Sequence, residues 1–193
     1  MSELRLNLGC GMTRFDGYVN VDRFGEPDVR HNLEVVPWPW PDDSVSEVIL
    51  SHVLEHLGRE PDVYLSIMKE LYRVCRDGAM IVVTVPHHRH DHFFNDPTHV
   101  RAVTADGMTL FSQRLNRNWA REGIANSPLG LYLGVDFEMV GVQLKPSSLW
   151  HRLNPNCPDD IQALIQQSEV YSNLIEEVRM TLRVVKPAGR EAA

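Results

Sequence analysis

Leu4 to Leu8 alternates apolar and polar side chains and runs into Gly9-Cys10-Gly11, the pattern of a strand ending in a glycine turn. Tyr18 to Asp22 reads as a second strand with a carboxylate at its end, and Val29 to Leu33 as a short third. Pro37 to Asp43 holds three prolines, each fixing φ and removing a backbone donor, so it is a loop. Val45 to Ser51 then predicts a fourth, buried strand. At Pro61 the period changes. Tyr64, Ile67, Met68, Leu71, Val74 and Cys75 recur at helical spacing, Pro61 suits the first turn, and Gly78 suits the C-terminal cap.

Ala79 to Val85 is a β-branched run and predicts another buried strand. A helix is expected over Thr104 to Leu115 and a strand over Phe137 to Leu144. A further helix starts near Pro158, with Ile161, Leu164, Ile165 and Tyr171 on one face. Val178 to Val185 supplies the last strand, and Pro187 to Ala193 a frayed tail. Strands alternating with helices imply one α/β domain over residues 1–193, its mainly parallel sheet covered by helices on both faces. Residues 87–132 and 145–176 read as insertions on the substrate side. A ligand of such a sheet binds beyond the carboxyl ends of the strands at the switch point. Gly9–Gly11, Asp22, Ser51-His52 and Pro86–His92 all fall on that edge. Only ten residues separate Gly11 from Asp22, so the helix after the first strand is short or missing. An open ligand site follows, or one covered by a second copy in a homodimer.

The 193 residues suffice for a sizeable core, and 43% hydrophobic with 23% charged side chains is ordinary for a globular enzyme. Nineteen basic against 26 acidic residues give a net charge of -7, which makes a broad phosphate-binding surface, and so nucleic acid, an unfavoured partner. Cys10, Cys75 and Cys157 are odd in number and lack paired metal spacing. There is no basic leader before an apolar run, and the apolar runs fall far short of the ~20 residues of a membrane helix. A reduced, cytoplasmic setting without membrane contact is expected.

Glycines after a strand let the backbone approach a ligand, and a carboxylate ending the next strand can accept both hydroxyls of a ribose. By themselves the glycines read first as a plain tight turn and Asp22 as a surface cap. A dinucleotide fingerprint would need glycine where Arg14 stands. His52-Val53-Leu54-Glu55-His56 matches the H-x-x-E-H metalloprotease pattern, yet Gly58 and Pro61 follow too soon for a helix to present it; a turn packing Leu54 and Leu57 is the plainer reading. Five of the nine histidines lie within residues 87–99. If extended, His88, His90 and His92 face one way, with Arg89 and Asp91 opposite. Such a face suits a base, a substrate wall, a divalent metal or a hydrogen-bonded loop. Asp96-Pro97-Thr98-His99 reads as a turn with Asp96 bonding the amides ahead. Arg101 could pair with Asp96 or with an anionic substrate. Trp38 and Trp40 are packing plugs or an adenine roof.

Taken together, Leu6-Asn7-Leu8-Gly9-Cys10-Gly11, Val21-Asp22, Pro37–Val48 and Ser51–Leu57 resemble class I S-adenosylmethionine-dependent methyltransferases. Within them the chain looks like the small, broadly distributed group often called predicted methyltransferases. The resemblance covers Leu4 to Val85 strongly and the remainder loosely. It implies a Rossmann-like, doubly wound sheet with an antiparallel last strand, and S-adenosylmethionine as cofactor. By the same likeness Gly9, Cys10 and Gly11 would lie beneath the methionine and ribose, and Asp22 would hold the ribose hydroxyls. Asn32 would offer an acceptor to the adenine amine, Leu33 would pack on the ring, and Ser51 and His52 would border the methionyl chain and the substrate. Asn7, Thr13 and Asn32 depart from the acidic residue, third glycine and Asp common at these places.

The expected reaction is methylation of a hydroxyl or amine of a small polar molecule, glycan or natural-product intermediate. A base must take the acceptor proton, and the candidates are His52 and one of His88, His90, His92 or His99. No metal ligand is assigned. Two alternatives stay open: a non-catalytic cofactor-binding partner subunit, and a metal-assisted methyltransferase using His87–His99.

Overall fold

The computed structural model describes residues 3–188. One seven-stranded sheet organises the chain, in the order β3-β2-β1-β4-β5-β7-β6. Its strands are β1 (Leu4–Leu8), β2 (Val19–Asp22), β3 (Val29–Arg30), β4 (Val45–Ser51), β5 (Cys75–Pro86), β6 (Phe137–Pro146) and β7 (Ile175–Val184). Strands β1 to β5 pair in parallel, and β7 runs antiparallel to both β5 and β6. From β1 the chain steps outward to β2 and β3, then returns across β1 to β4, so the switch point lies between β1 and β4. Leu6, Leu8, Val48, Leu50, Ile81 and Val83 have no exposed surface, as expected of parallel strands covered on both faces.

Helix α1 (Pro61–Val74) crosses from β4 to β5 and buries Tyr64, Ile67, Met68, Leu71 and Val74, the stripe its spacing predicts. It ends at Cys75 in extended backbone, and Gly78, expected as its cap, instead sits in a bulge of β5 with φ +76°. There Val45 pairs with Cys75 and Glu47 already with Met80, so extra residues of β5 loop out. Strand β3 stops at Arg30, short of the expected Leu33, because Asn32 turns the chain by accepting from the Glu34 amide. Among the described residues the crossovers β1–β2, β2–β3 and β3–β4 carry no α-helix; helices flank the later part of the sheet. Trp38 and Trp40 are buried in the third of these loops, so they are packing plugs rather than an adenine roof.

Between β5 and β6 lie α2 (Asp91–Asn95), α3 (Ala105–Thr109), α4 (Gln113–Glu122) and α5 (Leu129–Leu133). The single helix expected over Thr104 to Leu115 is thus two, because Ser112 caps a new one and the Leu110 carbonyl turns to Gly130 and Asn116. Between β6 and β7 lie α6 (Ser148–Leu153) and α7 (Ile161–Ser168). Only Leu164 of the predicted α7 face is buried; Ile161, Ile165 and Tyr171 are exposed. Since β6 parallels β5, the segment 147–174 emerges at the same carboxyl edge as the glycine turn. Among the described residues no helix is long and apolar enough to cross a membrane. The expected tail lies outside the described residues beyond position 188.

Candidate functional site

The loop after β1 holds its shape without a helix because a polar network does the work of one. The buried Asn7 amide donates to the Thr13 carbonyl (2.8 Å) and to Asn20 Oδ1 (2.9 Å). Asn20 in turn accepts from the Phe15 amide and donates to Asp28, which pairs with Arg14. These donors hold the Asp28 carboxyl down at about 2. Asn7, which departs from the acidic residue common in the resembling family, thereby ties the turn to β2.

Within this frame Gly9 and Gly11 adopt φ of +69° and +51°. Asp22 closes the turn: Oδ2 accepts from the Gly11 amide (2.9 Å) and Oδ1 from the Phe24 amide (2.8 Å). Each oxygen keeps a further lone pair for a ligand hydroxyl. Beside it opens a cavity of about 190 Å³, walled by Gly9, Asp22, Phe24, Asn32, Leu33 and His52 among others. Of the residues expected there, Gly9, Asp22, Asn32, Leu33 and His52 meet. Cys10 is buried with its thiol against the Gly11 carbonyl, Gly11 contributes its amide to Asp22, and Ser51 is exposed at the end of β4; none of these three is on the wall. Asn32 Oδ1, the expected adenine acceptor, already accepts from the Glu34 amide at 3.1 Å and has one lone pair left.

His52 stands at φ +55°, an uncommon conformation for a side-chain-bearing residue and one frequent at functional sites. Its amide donates to Thr84 of β5, and its ring lies between two carboxylates, Nδ1 at 3.5 Å from Glu55 and Nε2 at 3.6 Å from Glu177. Glu55 foremost, against the opposing effect of burial, raises the imidazole above its ordinary range. His52 and His56 also wall a second cavity of about 560 Å³, with Glu55, His92, Asp96 and His99 among its other residues. The two cavities therefore adjoin through the same pair of imidazoles. A larger concavity of about 810 Å³ opens elsewhere, among Asp42, Glu70, Arg73 and Lys186, where these charges are paired with one another or with Asp43.

The histidine-rich stretch is not extended. His87–His90 forms a turn and α2 begins at Asp91, so the three expected on one face divide: the His90 and His92 rings meet at 4.3 Å, while His88 packs on His87 at 4.4 Å. The first half docks the fold. Arg89 donates to the Ser168 and Glu169 carbonyls at the end of α7, and Asp91 and Arg89 are bridged by Asn173. His87 Nδ1 accepts from the Arg89 amide and His90 Nδ1 from the His92 amide. Burial pushes His87 down to about 4 and also lowers His88 and His90. The second half faces the cavity: His92, Asn95, Asp96 and His99 line it, whereas His88 and His90 do not. Asp96 accepts from the Thr98 amide, as its turn predicts. Arg101 does not pair with Asp96; it donates to the Gly58 carbonyl and lies over the Tyr64 ring.

Sequence reasoning missed Phe24 and Asn95, and also the charged members Glu55, His56 and Glu177. Glu55 and His56 carry a signal in the H-x-x-E-H spacing, though Gly58 and Pro61 follow too closely for a full helix to present it. Glu177 lies on β7 and carried none.

No protein-family model matches the sequence, and no curated protein matches it. Likeness appears among solved structures. A SAM-dependent methyltransferase from Archaeoglobus fulgidus has a TM-score of 0.60 at 16% identity, covering 94% of this chain and 86% of that one. A SAM-dependent methyltransferase from Methanosarcina mazei reaches 0.53 at 13% identity, covering 96% and 94%. The 1,6-didemethyltoxoflavin-N1-methyltransferase of Burkholderia thailandensis, solved with 1,6-didemethyltoxoflavin and S-adenosylhomocysteine bound, also reaches 0.53, at 12% identity, covering 95% and 71%. The chain has the class I S-adenosylmethionine-dependent methyltransferase fold.

Proposed function

We propose that the protein is an S-adenosylmethionine-dependent methyltransferase acting on a hydroxyl or amine of a small polar molecule, glycan or natural-product intermediate. One observation carries this reading: a carboxylate-closed glycine turn at the switch point and a second cavity adjoining it through His52 and His56. The first cavity is smaller than the ~300 Å³ lower bound of enclosed ligand sites. It would take the nucleoside, its ribose on Asp22 and adenine against Leu33, while the methionyl chain crosses the open glycine turn. The sulfonium methyl would then point toward the second cavity. A sulfonium methyl needs alignment with its nucleophile and exclusion of water more than activation. His52, shared by both cavities, is placed to take the acceptor proton. No Lys or Arg is among the described residues lining the second cavity, while Glu55, Asp96 and Glu177 are. That favours a neutral or cationic acceptor over a polyanion such as nucleic acid.

The test is calorimetry with S-adenosylmethionine and its demethylated product. Binding in the micromolar range is expected, weakened at least tenfold by Asp22→Ala. Unchanged affinity in that variant would remove Asp22 from the site. Turnover is then sought with a panel of hydroxyl and amine acceptors and with lysate. Cofactor binding without demethylated product in any of them would favour the partner-subunit reading.

A further inference from the structure

The buried Glu55 carboxylate is the electrostatic anomaly of this molecule. The residue has no exposed surface, and neither carboxylate oxygen accepts a hydrogen bond from any described residue. His52, at 3.5 Å, makes a charge contact short of a formed hydrogen bond. A carboxylate withdrawn from water without donors is strongly disfavoured, so its charge calls for a partner. One ligand atom from each of Glu55, His56 and His99 lies within 4.8 Å of those of the other two.

The surroundings fix what the two rings can offer. Thr98 Oγ1 has one proton and donates it to Asp96 Oδ1 (2.6 Å), so at its 2.9 Å contact with His56 Nδ1 it must accept. His99 Nδ1 stands 2.7 Å from the Phe93 carbonyl, which only accepts. These contacts select the tautomer with the proton on Nδ1, in which Nε2 of each ring carries the lone pair. A carbonyl or hydroxyl holding the far nitrogen in this way is the usual outer support of a metal-ligating histidine. Two such imidazoles and a donor-free carboxylate give an electron-rich centre for which a cation is the complement.

We propose that Glu55, His56 and His99 bind a divalent first-row transition ion, such as Zn²⁺, Mn²⁺ or Fe²⁺, on the wall of the acceptor cavity. Two imidazoles and one carboxylate suit these ions and leave coordination positions open. Ligands about 2.1 Å from a tetrahedral ion are about 3.4 Å apart, so closing from 4.8 Å asks for a shift of about an ångström. The open positions would face the cavity and take a neutral acceptor through oxygen, as one hydroxyl beside a second. Ion binding stands independently of the methyl-transfer reading; its use in holding the acceptor rests on that reading.

The tag-free, chelator-stripped full chain is titrated with Co²⁺, read by its visible absorption, and with Zn²⁺, read by calorimetry. One equivalent should bind, with affinity falling at least tenfold in Glu55→Gln and in His99→Gln. Thr98→Val, which removes the hydroxyl orienting His56 while leaving all three ligands, should weaken binding about tenfold. His88→Gln, outside the cavity, should bind as the parent does. Circular dichroism confirms that each variant is folded. Absence of stoichiometric binding by the parent, or equal affinity in folded Glu55→Gln and His99→Gln variants, would overturn the site. S-adenosylhomocysteine affinity measured on the same stripped protein keeps the two readings apart. Loss of nucleoside binding with intact Co²⁺ binding sinks only the methyltransferase, and the reverse sinks only the ion.

Discussion

At Gly9 a β-carbon would meet Val53 Cγ2 at 2.5 Å, with φ already at +69°, whereas at Gly11, with φ +51°, a β-carbon would meet nothing within 4 Å. Gly11→Ala therefore costs only the left-handed penalty, about 1–2 kcal/mol. Gly9→Ala adds overpacking against the residue that follows His52, about 1–3 kcal/mol more. Urea unfolding of the pair should rank them so, and equal losses would contradict the close packing of the turn on Val53. The histidines separate by the same kind of detail. His92 lines the second cavity, beside His52 and His56, and His88 does not. Under the proposed function, His92→Ala should lower kcat/KM while His88→Ala leaves it near the parent value. If both variants lose activity alike, the stretch acts only as a scaffold.

Between elements, the proline loop is tied to α1 by Glu70 and Arg73, which pair with each other while Arg73 also pairs with Asp42 of the loop. Glu70 accepts from the Trp38 amide (2.7 Å) and from Arg73, while Arg73 also donates to the Trp38 and Trp40 carbonyls. Removing the carboxylate leaves the Trp38 amide and Arg73 Nε without an acceptor, while the guanidinium keeps Asp42 and the two loop carbonyls. Glu70→Ala should lose about 2 kcal/mol in urea unfolding. The arginine, and secondly the loop amide, hold the Glu70 carboxyl below its ordinary range. Its contribution is thus full above the unfolded carboxylate pKa of about 4.3 and is lost as pH falls through the lower folded value. A variant as stable as the parent at neutral pH would show that Arg73 and the buried indoles hold the loop without the carboxylate. Arg89 makes a comparable tie, joining the start of the histidine stretch to the last carbonyls of α7.

For the whole molecule, the histidine turn sets a pH window of stability. Burial first, then the neighbouring His88 and Arg89 charges, hold His87 at about 4, and its Nδ1 is committed to accepting from the Arg89 amide. The unfolded chain takes up a proton near pH 6.5 that the native state refuses. Stability should accordingly be unaffected by this group above about pH 6.5 and decline as pH falls from there toward 4. His87→Gln should flatten that decline when unfolding free energies at pH 7.5 and 5 are compared. An equal decline in both proteins would assign it to other groups.

The elements that declared themselves in the sequence are those whose cause is local. β1, β4, β5 and α1 follow from a hydrophobic period that holds whatever they pack against, and the glycine turn with Asp22 follows from backbone freedom at a strand end. The Asp96 turn was legible for the same reason, since a side chain bonding an amide two residues on needs no distant partner. What only the tertiary structure decided depends on residues far apart in the chain. The histidines fold into a turn because Arg89 finds carbonyls some eighty positions away, which ended the expectation of a shared face. Asn7 replaces a missing helix by reaching Asn20, and α7 leaves most of its apolar face in solvent because only Leu164 meets the core. His52 gains its two carboxylates from a turn and from β7, and Glu55 and His56 meet His99 only because Val100 and Arg101 donate their amides to the Glu55 carbonyl. Periodicity records which face of an element is apolar; it carries no record of which charges the closed fold brings together.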